Sequence, residues 1–272
     1  MSVQKMINRI VQQNSGADKV SINNTYTRSI ASDSLTKFAV VYAALIHDVD
    51  HQGVTNSVLV AEKSPVAAMY ENKSVAEQNS ITVALEFLGR LEFRELREAI
   101  APNDADWRHF QDMVKSAVLT TDVFDKDLVA ARNEKWDQVF HQQQPVNGDD
   151  SLTPYRDHLK ASIVMEHLIQ ASDVSHTMQH WHVYRKWNEC LFREQVSAFS
   201  DGRGDADPAM NWYDGEIGFF DHYIIPLAKK LKDCGVFGVS SDEYLNYALK
   251  NRTEWEAKGK EIVAEMVAEL NK

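Results

Sequence analysis

The stretch that most constrains the fold of this chain is an apolar run that ends in a cluster of ionisable residues. Residues 38–45 read Phe-Ala-Val-Val-Tyr-Ala-Ala-Leu, and they are followed closely by His47, Asp48, Asp50 and His51. Burying a charged side chain costs several kcal/mol unless it is paired or bound to a metal. Imidazole and carboxylate groups together form a ligand set for Zn²⁺ and similar divalent ions. The pattern therefore predicts a buried helix that ends at a metal site.

Helical spacing indicates which of these residues would act together. On a continuing helix, His47 would share a face with His51 at i, i+4 and with Asp50 at i, i+3, whereas Asp48 would point elsewhere. The competing interpretation is a helix C-terminus, with histidines near the negative end of the helix dipole and Gly53 stopping the helix. That interpretation suits one histidine, whereas the whole H-D-x-D-H pattern favours metal binding.

The remaining sequence favours an all-α fold. Stretches rich in Ala, Leu, Glu and Lys recur along the 272 residues, whereas the alternation of apolar and polar residues that is typical of strands is rare. No internal repeat and no long linker divides the chain, so one domain over residues 1–272 is predicted. The apolar runs are much shorter than the roughly 20 residues that a membrane-spanning helix needs, so no membrane segment is expected.

The net charge of the chain limits the kinds of molecule that it is expected to bind. A formal net charge of −11 argues against nucleic acid, because binding to a phosphate backbone needs clustered Lys and Arg. A small anionic substrate remains compatible with this charge, because bound divalent cations reverse the local sign. Cys190 and Cys234 are too few for a disulfide framework and suit a reducing compartment, so we expect a cytoplasmic protein.

A second apolar helix is predicted to end in a carboxylate. Residues 159–169 are apolar at helical spacing and lead to Asp173, a candidate distant ligand for a metal held by His47 and Asp48. A lone Asp after a helix is usually a cap or turn residue, so this alternative stays open. The string S-x-x-E at 74–77 fits a capping box, which explains Glu77 as well as a catalytic role does.

Five strings in order resemble the catalytic domain of class I 3′,5′-cyclic nucleotide phosphodiesterases. They are H-D-V-D-H-Q-G-V-T-N at 47–56, S-V-A-E at 74–77, L-T-T-D at 119–122, A-S-D-V-S at 171–175 and E-I-G-F-F-D at 216–221. The first string is specific, and the shorter ones are informative only together. This variant is most similar to phosphodiesterase domains of algae and other protists, some of which follow receptor-type cyclases. The resemblance therefore implies a larger receptor- or cyclase-linked protein as one setting, at the cytosolic face of a membrane.

The resemblance implies an all-helical, HD-type domain that holds two divalent ions, usually Zn²⁺ in the tighter site and Mg²⁺ or Mn²⁺ in the other. His47 and Asp173 match ligands of the tighter ion, and Asp48 matches the carboxylate that touches both. The implied activity is hydrolysis of cyclic GMP or cyclic AMP to a 5′-nucleoside monophosphate in signal transduction, by a metal-bound hydroxide.

The remaining site residues are also implied by the resemblance. Three of them match catalytic positions that orient ligands and waters: His51, Glu77 and Asp122. Three others match positions that bind the nucleotide: Asn56, Glu216 and Phe219. Phe219 matches the aromatic side chain that clamps one face of the purine, which argues against a different phosphohydrolase of the broader His-Asp class.

The sequence departs from the family pattern in three places. No histidine precedes His47, so the upstream H-N-x-x-H-A-x-x-V motif, which supplies the general acid and one metal ligand, has no counterpart. We therefore expect a chain that lacks the first helices of the fold and is weakly active or inactive alone; the alternative is a nucleotide-binding pseudoenzyme. The family's Asn-His-His is replaced by residues 78–80, Gln-Asn-Ser. Glu216 replaces the purine-reading glutamine; because a carboxylate only accepts hydrogen bonds, it favours guanine, unless it is an ordinary first-turn acid of a helix.

Overall fold

Helices account for every regular element in the residues that the computed structural model describes, 2–15, 33–141, 153–204 and 206–270. The α-helices are α1 (Ser2–Ser15), α2 (Ser34–Ile46), α3 (Asn56–Ala61), α4 (Pro65–Met69), α5 (Val75–Gly89), α6 (Arg94–Ile100), α7 (Asp104–Leu119), α8 (Lys126–Trp136), α9 (Thr153–Asp173), α10 (Trp181–Ser200), α11 (Pro208–Phe219), α12 (Ile225–Asp233) and α13 (Glu243–Leu270). The prediction of an all-α fold is confirmed. None of the helices in these ranges is long and apolar enough to cross a membrane.

The described residues group into two compact units. Unit 1 comprises Met1–Asp50 and Met69–Asp173, and unit 2 comprises His51–Ala68 and Val174–Lys272. The chain therefore leaves unit 1 directly after the H-D-V-D string and returns to it before α5. One domain over residues 1–272 stays a prediction.

Unit 1 is built around α2, which packs against α7, α5 and α9. Its N-terminus is capped by Asp33, whose carboxylate accepts hydrogen bonds from the backbone N–H groups of Leu35 and Thr36, at 3.0 and 3.1 Å. Small residues allow close packing: Ala39 and Ala43 are fully buried against the aromatic ring of Phe110 and its neighbours on α7. This core fixes the direction in which α2 delivers His47.

Unit 2 has an aromatic core between α10, α11, α12 and α13. Five of its largest side chains are completely buried: Tyr184, Phe192, Phe220, Phe237 and Trp255. The short segment 51–68 is tied to this unit by an ion pair, in which the Arg203 guanidinium donates to both carboxylate oxygens of Glu62, at 2.8 and 3.0 Å. Two parallel hydrogen bonds of this kind fix the relative orientation of the two side chains in addition to pairing their charges.

A π-helical turn, Phe220–Ile224, joins α11 to α12. Pro226 is the second residue of α12, so it has no N–H to donate to the preceding turn, and its ring would clash with the carbonyl four residues earlier in a regular α-helix. A turn with i→i+5 bonds accommodates the proline without breaking the helix.

One predicted boundary is wrong. The sequence indicates a surface loop from residue 200 to 215, but α11 already begins at Pro208. Asp207 caps this helix by accepting from the backbone N–H of Ala209 at 2.9 Å, and proline is favoured at the first helical position. Asp207 and Pro208 form the start signal of α11, but the glycines and aspartates that precede them are typical of a loop.

Candidate active site

The H-D-V-D string forms a turn and does not continue the helix. Helix α2 ends at Ile46, His47 is its C-cap, and residues 47–50 turn, with Asp50 in the left-handed region at φ 62°. The expectation that His47 shares a helical face with Asp50 and His51 is therefore wrong. The turn instead brings Asp48 beside His47.

His47, Asp48 and Asp173 lie together at the ends of α2 and α9. The Nε2 atom of His47 is 3.1 Å from Oδ2 of Asp48 and 3.3 Å from Oδ1 of Asp173. One ligand atom from each residue lies within 4.8 Å of the other two, the arrangement needed around a metal ion. Asp173 is 126 positions from His47 in the sequence, and it reaches this place as the last residue of α9.

The hydrogen bonds of His47 orient its ring for metal binding. Its Nδ1 lies 3.1 Å from the carbonyl of Ala44, and a proton on Nδ1 would donate to that oxygen and leave Nε2 directed at the carboxylates. Burial lowers the pKa of His47, but hydrogen bonds and charges from Asp173 and Asp48 outweigh it and raise this pKa to about 10. The two carboxylates therefore favour a positive charge at this position.

This donor set fits a divalent ion. One imidazole nitrogen and two carboxylate oxygens suit Zn²⁺ and also Mn²⁺ or Mg²⁺, and three protein ligands leave positions open for other ligands. The side chain of His47 is 19% exposed, whereas that of Asp48 is 65% exposed. The imidazole is thus fixed within unit 1, and Asp48 faces the solvent side of the group.

Two residues that the sequence analysis did not assign hold this turn in place. Ser80, fully buried on α5, donates from Oγ to the carbonyl of Val49 at 2.9 Å. Asn79 donates from Nδ2 to Oδ2 of Asp50 at 3.0 Å. They stand where the resembling family has imidazoles, so a hydroxyl and an amide here support the two residues that follow Asp48.

Glu77 and Asp122 lie in unit 1 at the ends of helices. Glu77 is in the first turn of α5, but the predicted capping box is wrong in its serine half, since Ser74 adopts φ 38° and its side chain makes no capping hydrogen bond to the described helix. Asp122 follows α7 and accepts at Oδ1 from the backbone N–H groups of Phe124 and Asp125, at 3.0 and 3.1 Å. The outer positions assigned to Glu77 and Asp122 stay predictions.

His51 and Asn56 lie in unit 2. Nδ1 of His51 accepts from the backbone N–H of Gly53 at 3.1 Å, and Asn56 is the first residue of α3. Gly53 has φ 69°, and a Cβ there would lie 3.1 Å from Oε1 of Glu194, so both its conformation and its surroundings favour glycine. The glycine of the string thus has a structural reason, and the roles assigned to His51 and Asn56 stay predictions.

Glu216 projects into the core of unit 2 from the middle of α11. The hydroxyl of Tyr184 donates to its Oε2 at 2.7 Å, and the Tyr184 ring is fully buried. Burial raises the pKa of Glu216, and the hydrogen bond from Tyr184 partly counteracts this. The first-turn alternative is wrong, because α11 begins eight positions earlier at Pro208, so the acid has no helix-capping role.

Phe219 is the last residue of α11 and is half-buried. Its ring stacks on that of Tyr223, with centroids 5.4 Å apart and planes inclined by 21°. Glu216 and Phe219 are three positions apart on one helix, so they lie on the same side of α11. A carboxylate and an aromatic ring are thereby presented together in unit 2.

Comparison with known proteins gives a consistent result. Residues 20–236 match the family model described as 3′5′-cyclic nucleotide phosphodiesterase. The dual specificity calcium/calmodulin-dependent 3′,5′-cyclic nucleotide phosphodiesterase 1C of Mus musculus is 23% identical over 207 residues, which cover 72% of this chain and 26% of that protein. The probable 3′,5′-cyclic-AMP phosphodiesterase pde-4 of Caenorhabditis elegans is 25% identical over 226 residues, which cover 73% of this chain and 30% of that protein.

A solved structure shows the same fold. The phosphodiesterase domain of the Salpingoeca rosetta rhodopsin phosphodiesterase superposes with a TM-score of 0.65 at 19% identity, covering 99% of this chain and 83% of that one. The chain spans only about a quarter to a third of the length of the curated relatives it matches.

Proposed function

We propose that this chain, which belongs to the 3′5′-cyclic nucleotide phosphodiesterase family, hydrolyses 3′,5′-cyclic nucleotides to 5′-nucleoside monophosphates with bound divalent metal. The observation that carries the proposal is the group of His47, Asp48 and Asp173, whose donor atoms come from two helix ends 126 positions apart and meet within 4.8 Å. The imidazole of His47, which both carboxylates contact, is only 19% exposed.

In this proposal His47, Asp48 and Asp173 hold the tighter ion, Zn²⁺, and Asp48 extends to a second ion, Mg²⁺ or Mn²⁺. Bound divalent ions lower the pKa of coordinated water and offset the negative charge of a phosphate. Asp48 is suited to contact two ions, because its side chain is the most exposed of the three and a carboxylate has two oxygens.

We assign the outer positions to His51, Glu77 and Asp122, whose carboxylates and imidazole would orient ligands and solvent. Ser80 acts through the backbone of Val49 and so positions Asp48. Partners of this kind typically change metal affinity by about 10–100-fold when they are removed.

For the nucleotide, we assign Asn56, Glu216 and Phe219, with Phe219 stacking on the purine and Glu216 meeting its edge. Tyr184 donates to Oε2 of Glu216 and Asn188 is a second donor beside this carboxylate, which can accept further hydrogen bonds because each of its oxygens has two lone pairs. Guanine offers adjacent N–H donors on the edge where adenine has an acceptor, so this carboxylate favours cyclic GMP over cyclic AMP.

A second candidate function is a nucleotide-binding module without turnover. It is favoured by the composition of the metal group, which has one imidazole. General acid catalysis commonly contributes about 10²–10⁴-fold to a rate, so a site that binds nucleotide without a general acid would have strongly reduced activity.

The test measures metal content by mass spectrometry and then hydrolysis of cyclic GMP and cyclic AMP with added Mn²⁺ or Mg²⁺. Bound Zn²⁺ and turnover in the wild type, both lost in Asp173→Asn and kept in Asp127→Asn, would support the enzyme; Asp127 is an exposed acid on α8. Nucleotide binding without turnover would favour the second candidate. Neither metal nor nucleotide binding by folded protein would refute both.

The purine preference has its own test in Glu216→Gln. A glutamine amide both donates and accepts, so the ratio of kcat/KM for cyclic GMP to that for cyclic AMP should fall several-fold. If the protein shows no turnover, the Kd values for cyclic GMP and cyclic AMP are compared in place of kcat/KM. An unchanged ratio in a folded variant would remove Glu216 from the purine edge.

We also propose that the chain works as one domain of a larger receptor-type protein at the cytosolic face of a membrane, with a cytoplasmic protein as the simpler alternative. The support is the similar solved domain, which comes from a rhodopsin phosphodiesterase. Sequencing of full-length transcripts would test this, and a short transcript encoding only this chain would contradict it.

A further inference from the structure

Unit 1 contains a cavity of about 250 Å³ between α2, α7 and α9, away from the metal group. Asp33, at the start of α2, is one of its lining residues, whereas His47 follows the end of that helix. Fourteen positions of helix separate these two residues, which corresponds to about 21 Å along the axis. None of the residues that line the cavity belongs to the His47 group, so the cavity is a separate feature of the unit.

The polar lining consists of three carboxylates, two imidazoles (His109 and His158) and three hydroxyl groups (Thr36, Ser116 and Ser162). Asp33, Asp112 and Glu166 face the cavity, and no lysine or arginine is among the described residues that line it. Asp33 already caps α2. Asp112 is exposed and makes no hydrogen bond or ion pair with another described residue, so its charge is available to a ligand.

Asp112 and Glu166 are placed to act on one ligand group. Ser116 donates from Oγ to Oε1 of Glu166 at 3.0 Å, and Asp112 lies one helical turn before Ser116 on the same face of α7. Cβ atoms at this spacing are about 6 Å apart, so the hydrogen bond from Ser116 brings the Glu166 carboxylate to the same part of α7 as Asp112. Burial raises the pKa of Glu166, with Lys135, Ser116 and Arg132 counteracting it. A cation beside Glu166 would favour its ionised form.

The geometry selects an organic cation over a metal ion. Among the described residues, the His47 group alone brings three metal-ligating atoms within 4.8 Å of one another, so the carboxylates and imidazoles of this cavity offer no such three-ligand group to a metal ion. The wall also has an apolar part, with Val40 and Met165 buried and Met113 half-buried. An ammonium group with an apolar body matches both parts of the lining.

We propose that this cavity binds a small primary amine that carries a ring-sized apolar group. The ammonium lies between Asp112 and Glu166, and the apolar group packs against Val40, Met113 and Met165. A cavity of about 150 Å³ lined by apolar side chains is enough to hold benzene, so about 250 Å³ accommodates a ring with a short amine-bearing chain. Methionine sulfur also packs favourably against aromatic rings.

The experiment titrates the whole chain with 2-phenylethylamine and with 2-phenylethanol, followed by ligand-observed NMR. The two probes have the same shape, and only the amine is charged at neutral pH. The amine should bind at least tenfold more tightly than the alcohol. No amine binding, or equal affinity for the two probes, would overturn the proposal.

Variants locate the binding. Glu166→Gln keeps the size of the side chain and its acceptor for Ser116, and Asp112→Asn changes an exposed residue. Each should reduce the amine preference to threefold or less, whereas Glu95→Gln, an exposed acid outside the cavity, should leave it unchanged. A preference that survives in Asp112→Asn would overturn the proposed ammonium position, even if Glu166→Gln does not fold. The outcome is independent of phosphodiesterase activity, because no cavity residue belongs to the metal group.

Discussion

Replacing Tyr184 with phenylalanine removes one hydroxyl from the core of unit 2 and should cost about 1.5–3 kcal/mol at a pH where Glu216 is ionised. That range is typical of a hydrogen bond to a charged group, and the Tyr184 hydroxyl donates to Glu216 Oε2 at 2.7 Å. The ring contacts remain, because phenylalanine keeps the edge-on packing against Phe220 and Trp255, with centroids 5.2 and 5.9 Å away. For a chain of this size the Tm should fall by roughly 3–12 °C.

The pH dependence of this cost gives the sharper test. Burial raises the pKa of Glu216 above its ordinary value of 4.5, so the folded protein loses stability as the pH rises from that value through the folded pKa. The Tyr184 hydroxyl lowers the folded pKa; without it the pKa rises further, and more stability is lost in the same window. The cost of Tyr184→Phe should therefore be larger at pH 8 than at pH 5.

The assay is urea unfolding of the wild type, Tyr184→Phe, Glu216→Gln and the double variant at both pH values. At pH 8 the two substitutions should couple by about 1 kcal/mol or more, because the partners are in direct contact. Tyr42→Phe is the matched control: its hydroxyl donates to the Ala84 carbonyl at 3.2 Å, a neutral acceptor, so its cost should not change with pH. A Tyr184→Phe cost below about 0.5 kcal/mol, or one equal at both pH values, would refute the reasoning.

Two further substitutions test the packing and the support of the metal group. Ser80→Ala leaves the carbonyl of Val49 without its donor and should weaken Zn²⁺ binding by about tenfold or more, measured by competition with a chelator; unchanged affinity would contradict the positioning role. Gly259→Ala should destabilise the protein by about 1–3 kcal/mol in urea unfolding, because its Cβ would lie 2.8 Å from ring atoms of Trp255 and Tyr213. Gly215→Ala, with no described atom within 4 Å of its Cβ, should instead stabilise by up to about 1 kcal/mol, and equal effects would contradict this account.

The features predicted correctly from the sequence are those with local signals. Asp33 directly precedes an apolar run, which is the sequence signal of an N-cap, and the structure shows the capping bonds. A second apolar helix leads to Asp173, which lies 3.3 Å from His47 at the end of α9, and its role as a metal ligand stays a prediction. In both cases a short stretch of sequence indicates where a helix begins or ends.

The features that sequence reasoning missed depend on distant partners or on unusual backbone conformation. The expectation that His47 and His51 share a helical face is wrong because the helix stops at Ile46. Asp50 then adopts a left-handed conformation, which Asp tolerates better than most residues but still adopts only rarely. The donation from Tyr184 to Glu216 joins residues 32 positions apart, so only the fold reveals it.

The π-helical turn at Phe220–Ile224 has a consequence for how insertions and deletions would act in unit 2. Each residue of an α-helix turns the chain by about 100°, so removing one residue from this turn would rotate all of α12 by that angle. Leu227 and Leu231, now buried, would swing away from their present neighbours. Deletion scanning should therefore find that the loss of a single residue at 220–224 is tolerated much less well than a conservative substitution there. The π-helical turn holds one residue more than an α-helical turn, so counting helical positions from α11 into α12 at 100° per residue would assign the residues of α12 to the wrong face.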